Sequence, residues 1–392
     1  MTEPTGETQG ERLKEVALVF LKLGTTAFGG PPAHIAMMDE EIVRRRKWVS
    51  QETFLDLLGA SNIIPGPNST ELAIHLGYKR AGWAGLITAG ACFIVPAMLL
   101  VGIFAYLYAT FQTMPQLQSV LYGVKPVIIA VVAQALWGLR KTAMKTKTTL
   151  IVGLLALVLA IAGMNELFLL LLCGAAVMMM ERLKDKGAAD RRRMNSFFPG
   201  ALLLGSSAAP VALGSMSTAG LFWSFLKIGS VLYGSGYVLL AFLQSEFVDR
   251  YQVLTAQQLI DAVAVGQFTP GPLFTTATFV GYLIHGAPGA VWATLGIFLP
   301  AFVFVALTMK WIPKLRQSKP LSAFLDGVNV ASIALMAAVS WQLGLASVTD
   351  PITAVIAVIS LLVLLRYRIN SAWLVLAGGL LGWLLQMAGL SL

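Results

Sequence analysis

Charge is what this chain has least of. Only 12% of its 392 residues are Asp, Glu, Lys or Arg, where soluble domains carry roughly a quarter. Cysteine is almost absent too. Cys92 and Cys173 both lie in apolar runs, which excludes a disulfide framework and reads as small core residues. With three scattered histidines, no metal centre and no cofactor are expected. There is no Gly-x-Ser-x-Gly elbow, no P-loop and no His-Glu-x-x-His, so nothing points to an enzyme. The first ten residues are polar and acidic, without the basic start and apolar core of a cleaved signal peptide. What remains is apolar: 57% hydrophobic residues, 37 glycines and a mean hydropathy of +0.76. The composition predicts an all-α polytopic membrane protein embedded in a lipid bilayer. Its net charge of +9 could suggest nucleic acid, but in such a chain basic residues collect in cytoplasmic loops, and no nucleic acid is expected.

One short stretch organises the rest. Asn62–Glu71 contains Pro65-Gly66-Pro67, and 205 residues later the chain repeats it as Pro270-Gly271-Pro272. Proline fixes φ and lacks an N–H, and glycine frees the backbone, so a helix stops there and a new one starts at the second proline. At membrane depth such backbone is tolerated only where it is buried in protein or lines a watery cavity. Two breaks in matching halves are a pointer to a transporter's binding site. Gly29-Gly30-Pro31-Pro32 and Gly234-Ser235-Gly236 give two further breaks.

In chain order, Val16–Phe28 and Phe54–Ile64 are short apolar pieces, each running into a break, and Leu72–Tyr78 ends at Lys79-Arg80. These predict two broken, re-entrant helical hairpins, since about 20 residues are needed to span. Trp83–Phe111 and Val120–Leu139 are full spans, followed by a tight pair, Leu150–Ala162 and Leu167–Met180. A basic linker, Arg182–Arg193, and one extra apolar segment, Phe197–Met216, separate the halves. The expected division is a repeat over 1–181, linker and extra helix over 182–218, and a second repeat over 219–392.

The repeat is carried by polar residues that chance similarity among apolar segments does not match. Lys22, Gly24, Gly29, Glu41, Arg45 and Asp56 recur as Lys227, Gly229, Gly234, Glu246, Arg250 and Asp261; after a one-residue slip, Gly82, Pro96 and Gly123 recur as Gly286, Pro300 and Gly327. A single extra crossing turns the second repeat over, and the inverted arrangement places nearly all of the 28 lysines and arginines on the cytoplasmic side. The N-terminus is then cytoplasmic and the C-terminus outside, in the plasma (inner) membrane.

Several residues are candidates for binding. Lys22, Lys227 and Lys125 fall at membrane depth, where a charge is costly and signals function or a partner. Inversion would bring Lys22 and Lys227 toward one site; snorkelling or pairing with an acid is the alternative. Lys125 has Asn329 as its repeat partner. The breaks offer helix N-termini that suit anions, at Gly29, Gly30, Pro65, Gly66, Pro67, Gly234, Ser235, Gly236, Pro270, Gly271 and Pro272. Asn68, Ser69, Thr70, Thr275 and Thr276 add neutral donors or act as caps. Glu71, His34 and His75 are candidates for proton coupling, and Glu71 has no acidic repeat partner. Glu41 and Glu246 read as ion-pair partners. His285 reads as a solvent-facing turn residue.

Phe28-Gly29-Gly30-Pro31, Pro65-Gly66-Pro67, Gly77-Tyr78 with Gly82, Gly234-Ser235-Gly236 and Pro270-Gly271-Pro272 together resemble the chromate ion transporter family. The resemblance covers Val16 to about Leu390 and fits the long, two-domain form. It implies export of chromate from the cytoplasm and chromate resistance, with sulfate or another oxyanion, or an anion channel, as alternatives. The second half departs by replacing Gly-Gly-Pro-Pro with Gly-Ser-Gly-Tyr, so its break need not bind anion equally.

Overall fold

The computed structural model describes residues 7–186, 216–233, 236–309, 318–367 and 369–388, with backbone alone at 141–143, 184–186 and 237. Among these every regular element is helical. The first half comprises α1 (Gln9–Thr26), α2 (Gly30–Met38), α3 (Gln51–Ser61), α4 (Asn68–Phe111), α5 (Pro115–Ala143), α6 (Lys147–Ile161) and α7 (Glu166–Lys186). The second comprises α8 (Thr218–Val231), α9 (Leu239–Leu243), α10 (Ala256–Phe268), α11 (Thr276–Thr308), α12 (Lys319–Ser347), α13 (Pro351–Tyr367) and α14 (Ser371–Met387). Among the described residues, four stretches are long and apolar enough to cross a membrane: Asn68–Phe111, Pro115–Arg140, Leu273–Thr308 and Lys319–Ser347. Their outer faces expose Trp83, Ile87, Leu99, Trp292, Leu307 and Trp341, apolar surface that suits lipid. The chain is an all-α polytopic membrane protein.

The duplication is visible in the geometry. A π-helical turn follows α2 at Asp39–Arg45, and another follows α9 at Gln244–Arg250. Helices α5 and α12 are each 29 residues long. The long helices α4 and α11 bend at equivalent places: Ala81 and Gly82 have φ/ψ of −138°/23° and 62°/−150°, and His285 and Gly286 have −136°/20° and 62°/−151°.

These bends bear out one expectation and refine another. The chain turns back just beyond Lys79-Arg80, as expected. Past the bend at Ala81 and Gly82 a Cβ on Gly77 would meet the carbonyl oxygen of Gly85, so Leu72–Tyr78 and the span from Trp83 pack side by side as a hairpin within α4. Arg80 is neutralised by Glu15 at 2.6 Å and Glu7 at 2.5 Å, from α1 and the residues before it. His285 stands at the matching turn within α11, as expected, but it is half-buried and its Nε2 bonds the carbonyl of Met216 instead of facing solvent. Helix α7 also continues past Met180 into the linker, to Lys186. The rest of that linker, the extra segment up to residue 215, and Lys310, Lys314, Arg316 and Arg368 lie outside the described residues.

The halves are interlocked. Helix α1 packs along α4, α8 along α11, and α4 against α11. The terminal hairpins are exchanged: α6 and α7 pack on α12 of the second half, while α13 and α14 pack on α5 of the first. Small residues permit the close crossings. A Cβ on Gly378 would lie 2.7 Å from the carbonyl oxygen of Gly123, and one on Gly327 would meet the backbone of Cys173. Gly378 and Gly382 therefore serve packing within the chain, as helix interfaces in membranes commonly do. Helices α5 and α12 run antiparallel, since Lys145 just beyond α5 pairs at 2.8 Å with Asp326 near the start of α12.

Candidate functional site

Each break is built from residues that cannot continue a helix. Helix α1 ends at Ala27, and Gly29 and Gly30 take φ of 104° and 75° before Pro31 opens α2. Gly66 and Gly271 take φ of 138° and 92° between their prolines, a region that costs an L side chain about 1–2 kcal/mol. Pro67 then precedes α4, and Pro272 precedes a short 3-10 turn, Leu273–Thr275, that leads into α11.

The two proline-glycine-proline turns latch the halves together. Gly66 N–H donates to the carbonyl of Leu232 at 2.8 Å, and Gly271 N–H to that of Ala27 at 2.9 Å. Leu232 and Ala27 are equivalent residues, the ends of α8 and α1. The same Ala27 carbonyl lies 3.1 Å from His34 Nε2, and His34 Nδ1 lies 3.2 Å from Ser69 Oγ. A carbonyl only accepts, so Nε2 carries the proton and Nδ1 accepts from Ser69. His34 is a strut between two breaks. Its ring nitrogens and the two glycine N–H groups are thus used within the chain.

All four breaks meet at one cavity of about 990 Å³. Gly29, Pro67, Gly236 and Pro272 each line it, one from each break, with Asn68 and Ser69 from the first turn of α4. Asn62, Gln134, Asn329 and Asn370 add amides, and Lys145 adds a cation. Ser332 also lines it, and its Oγ is buried without a hydrogen-bond partner. Asn68 Nδ2 donates to Asn62 Oδ1 at 2.7 Å. Helix α4 begins without a side-chain cap, which leaves N–H groups at its N-terminus for a ligand. Pro65, Gly30 and Pro270 stand in the same turns. Gly234 and Ser235 lie outside the described residues.

Other expected residues stand elsewhere. Lys22 Nζ is 3.5 Å from Glu41, which also takes Arg45 at 2.9 Å and Arg46 at 3.0 Å. Lys227 Nζ is 2.6 Å from Glu246, which also takes Arg250 at 3.0 Å. Each lysine is turned onto the glutamate of its own repeat, and neither lines the cavity, because a carboxylate is within reach nineteen positions on. Thr275 and Thr276 donate to the carbonyls of Pro272 and Leu273, both at 2.8 Å, so their hydroxyl protons are held by their own turn. Lys125 lies in a second cavity beside Asp261.

Behind the first break lies an unusual group. Thr70, Glu71 and His75 are all buried to 1% exposure or less, and among the described residues Thr70 Oγ1, both Glu71 carboxylate oxygens and both His75 nitrogens lack hydrogen-bond partners. Glu71 lies against Gly66, and His75 is one helical turn further along the same face of α4. The second half has Thr276 and Val280 at the matching positions.

Sequence reasoning missed most of the cavity wall. Asn62 adjoins a break and Asn329 answers Lys125 in the repeat, so both carried a signal. Lys145, Asn370 and Ser332 carried none, since only the exchange of hairpins brings them there.

Residues 14–179 and 219–383 each match the family profile described as Chromate transporter. Over 378 residues the chain is 31% identical to the Chromate transport protein of Cupriavidus metallidurans, covering 94% of this chain and 92% of that one. It is 31% identical over 352 residues to the Probable chromate transport protein of Synechococcus elongatus, covering 89% of each. It is 30% identical to the Chromate transport protein of Pseudomonas aeruginosa over 379 residues, 93% of this chain and 90% of that one. No solved structure matches the chain.

Proposed function

The chain belongs to the chromate transporter family, and from that premise we propose that it exports chromate from the cytoplasm through the cavity at its four breaks, conferring resistance. The observation that carries this reading is the convergence of Gly29, Pro67, Gly236 and Pro272 on one cavity of about 990 Å³. Helix N-termini carry about half a positive charge and unpaired N–H donors. Amides and the orphan hydroxyl of Ser332 supply further donors to a tetrahedral dianion. Lys145 already pairs with Asp326, so the cavity attracts the anion without trapping it. Sulfate shares the charge and shape and is the alternative substrate.

Export is electrically downhill. A dianion leaving an inside-negative cell gains about 4.6 kcal/mol per 100 mV, at about 2.3 per charge. A proton-coupled contribution is assigned to Glu71 and His75, whose burial without partners supports reversible protonation, whereas His34 is a fixed strut. The separation of two cavities along α5 favours a transporter over an open channel. The antiparallel run of the equivalent helices α5 and α12 supports inverted repeats in the plasma membrane, with the N-terminus cytoplasmic and the C-terminus outside. Cysteines introduced near Arg45 and near Arg250, with Cys92 and Cys173 replaced, should then label from opposite faces; labelling from one face sinks the inversion.

The functional test is uptake of labelled chromate and sulfate into everted vesicles, with and without an imposed potential. Chromate uptake that rises with an interior-positive potential is expected. Vesicles that accumulate no more of either anion than protein-free controls would overturn the reading.

A further inference from the structure

The second cavity, of about 560 Å³, is lined by Gln118, Tyr122 and Lys125 of α5, by Asp261 of α10, and by Ser347 and Thr349 at the end of α12. The repeat relates it to the first: Lys125 answers to Asn329 and Thr349 to Lys145, each 204 residues apart. The two cavities occupy opposite ends of α5 and α12. Their nearest lining residues on α5 are Lys125 and Gln134, about 14 Å apart at 1.5 Å per residue. One closed layer thus separates them.

The charges in this cavity are loosely matched. Tyr108 donates its hydroxyl proton to Asp261 Oδ2 at 2.9 Å. Lys125 Nζ stands 3.6 Å from Oδ1, attracted but beyond hydrogen-bond length. Asp261 is 2% exposed and Ser347 4%, yet Asp261 Oδ1 and Ser347 Oγ have no hydrogen-bond partner among the described residues. A buried polar atom left unpaired costs about 1–3 kcal/mol; an oxyanion removes that cost at the Ser347 hydroxyl, which donates, and not at the Asp261 oxygen, which only accepts. A cation entering here would face the Lys125 ammonium, while an anion would find both that ammonium and a free hydroxyl. Asp56, the counterpart of Asp261, is exposed and lines neither cavity.

We propose that the smaller cavity is a second station for a tetrahedral oxyanion, where Lys125 exchanges Asp261 for the anion and Ser347 donates to one of its oxygens. The proposal rests on the reading of the first cavity as an oxyanion path. Asp261 then acts as an internal stand-in for the substrate. It holds Lys125 when the site is empty and yields it when the anion arrives.

Chromate binding to the purified full chain tests this, with two single variants and one double variant. Asp261→Asn keeps the shape and removes the competitor, so chromate should bind about tenfold tighter, a change of about 1.4 kcal/mol. Adding Lys125→Gln should cancel the gain. Ser347→Ala removes a hydroxyl that bonds nothing in the chain, so thermal stability should hold or rise while chromate binds severalfold more weakly. Unchanged affinity in either single variant, or a gain that survives Lys125→Gln, overturns the second station. Wild-type protein that binds neither chromate nor sulfate overturns the first-cavity reading, and this one with it.

Discussion

At the scale of single residues, the lysines and the orphan hydroxyl separate two kinds of polar group. Lys22 and Lys227 were matched by the repeat and set at membrane depth, which made them candidates for the anion. In the structure they sit on Glu41 and Glu246 with 56% and 37% of their side-chain surface exposed, and pairs of that exposure contribute about 0–1 kcal/mol. Lys22→Gln and Lys227→Gln should therefore change chromate affinity less than about twofold, measured by equilibrium binding on folded protein. A tenfold loss in both would return the lysines to the substrate path. Ser332 is the opposite case, a buried hydroxyl at the cavity wall with no hydrogen-bond partner among the described residues. Ser332→Ala should weaken chromate binding by about 0.5–1.5 kcal/mol, the net worth of one hydrogen bond, without lowering the melting temperature. The breaks were legible because proline and glycine act through backbone rules that need no partner. The lysine partners were not, because which carboxylate a side chain meets depends on tertiary distance.

At the scale of elements, the proline-glycine-proline turns are latches as well as helix starts. A Cβ on Gly271 would lie 2.6 Å from that of Ala97, and one on Gly66 would meet the Glu71 carboxylate. Gly271→Ala should cost about 1–3 kcal/mol from overpacking, plus about 1–2 from the left-handed backbone. Thermal unfolding in detergent checks this; the melting temperature should fall, and a shift within error would mean the turn relaxes freely. The exchange of hairpins gives a second expectation. Gly378→Leu should drive α14 off α5, because a side chain has no room beside Gly123, and the folded yield by size-exclusion chromatography should drop severalfold. Wild-type yield would show that the crossing tolerates bulk. The apolar sequence of α13 and α14 does not say that they pack on α5. An apolar face has no address; the steric fit of Gly123 to Gly378 and Gly382 supplies one.

At the scale of the whole molecule, two interlocked repeats hold four broken helices around one cavity, and the asymmetry between repeats distinguishes its walls. Glu71, His75 and Lys125 in the first half are answered by Thr276, Val280 and Asn329 in the second. Duplication was legible from matched Lys, Glu, Asp and Pro-Gly-Pro, while the joint lining of the cavity was not, since Lys145 and Asn370 sit in loops without a motif. Blocking the cavity and measuring flux tests the oxyanion path most directly. In protein with Cys92 and Cys173 replaced, Asn329→Cys is capped with a bulky thiol reagent, washed, reconstituted and assayed for chromate flux under an imposed potential. Leu154→Cys, on an exposed apolar face, is capped as the control. Flux should fall at least about tenfold, equivalent to about 1.4 kcal/mol, at Asn329→Cys and stay unchanged at Leu154→Cys. Full chromate flux through protein fully capped at position 329 would contradict passage through this cavity.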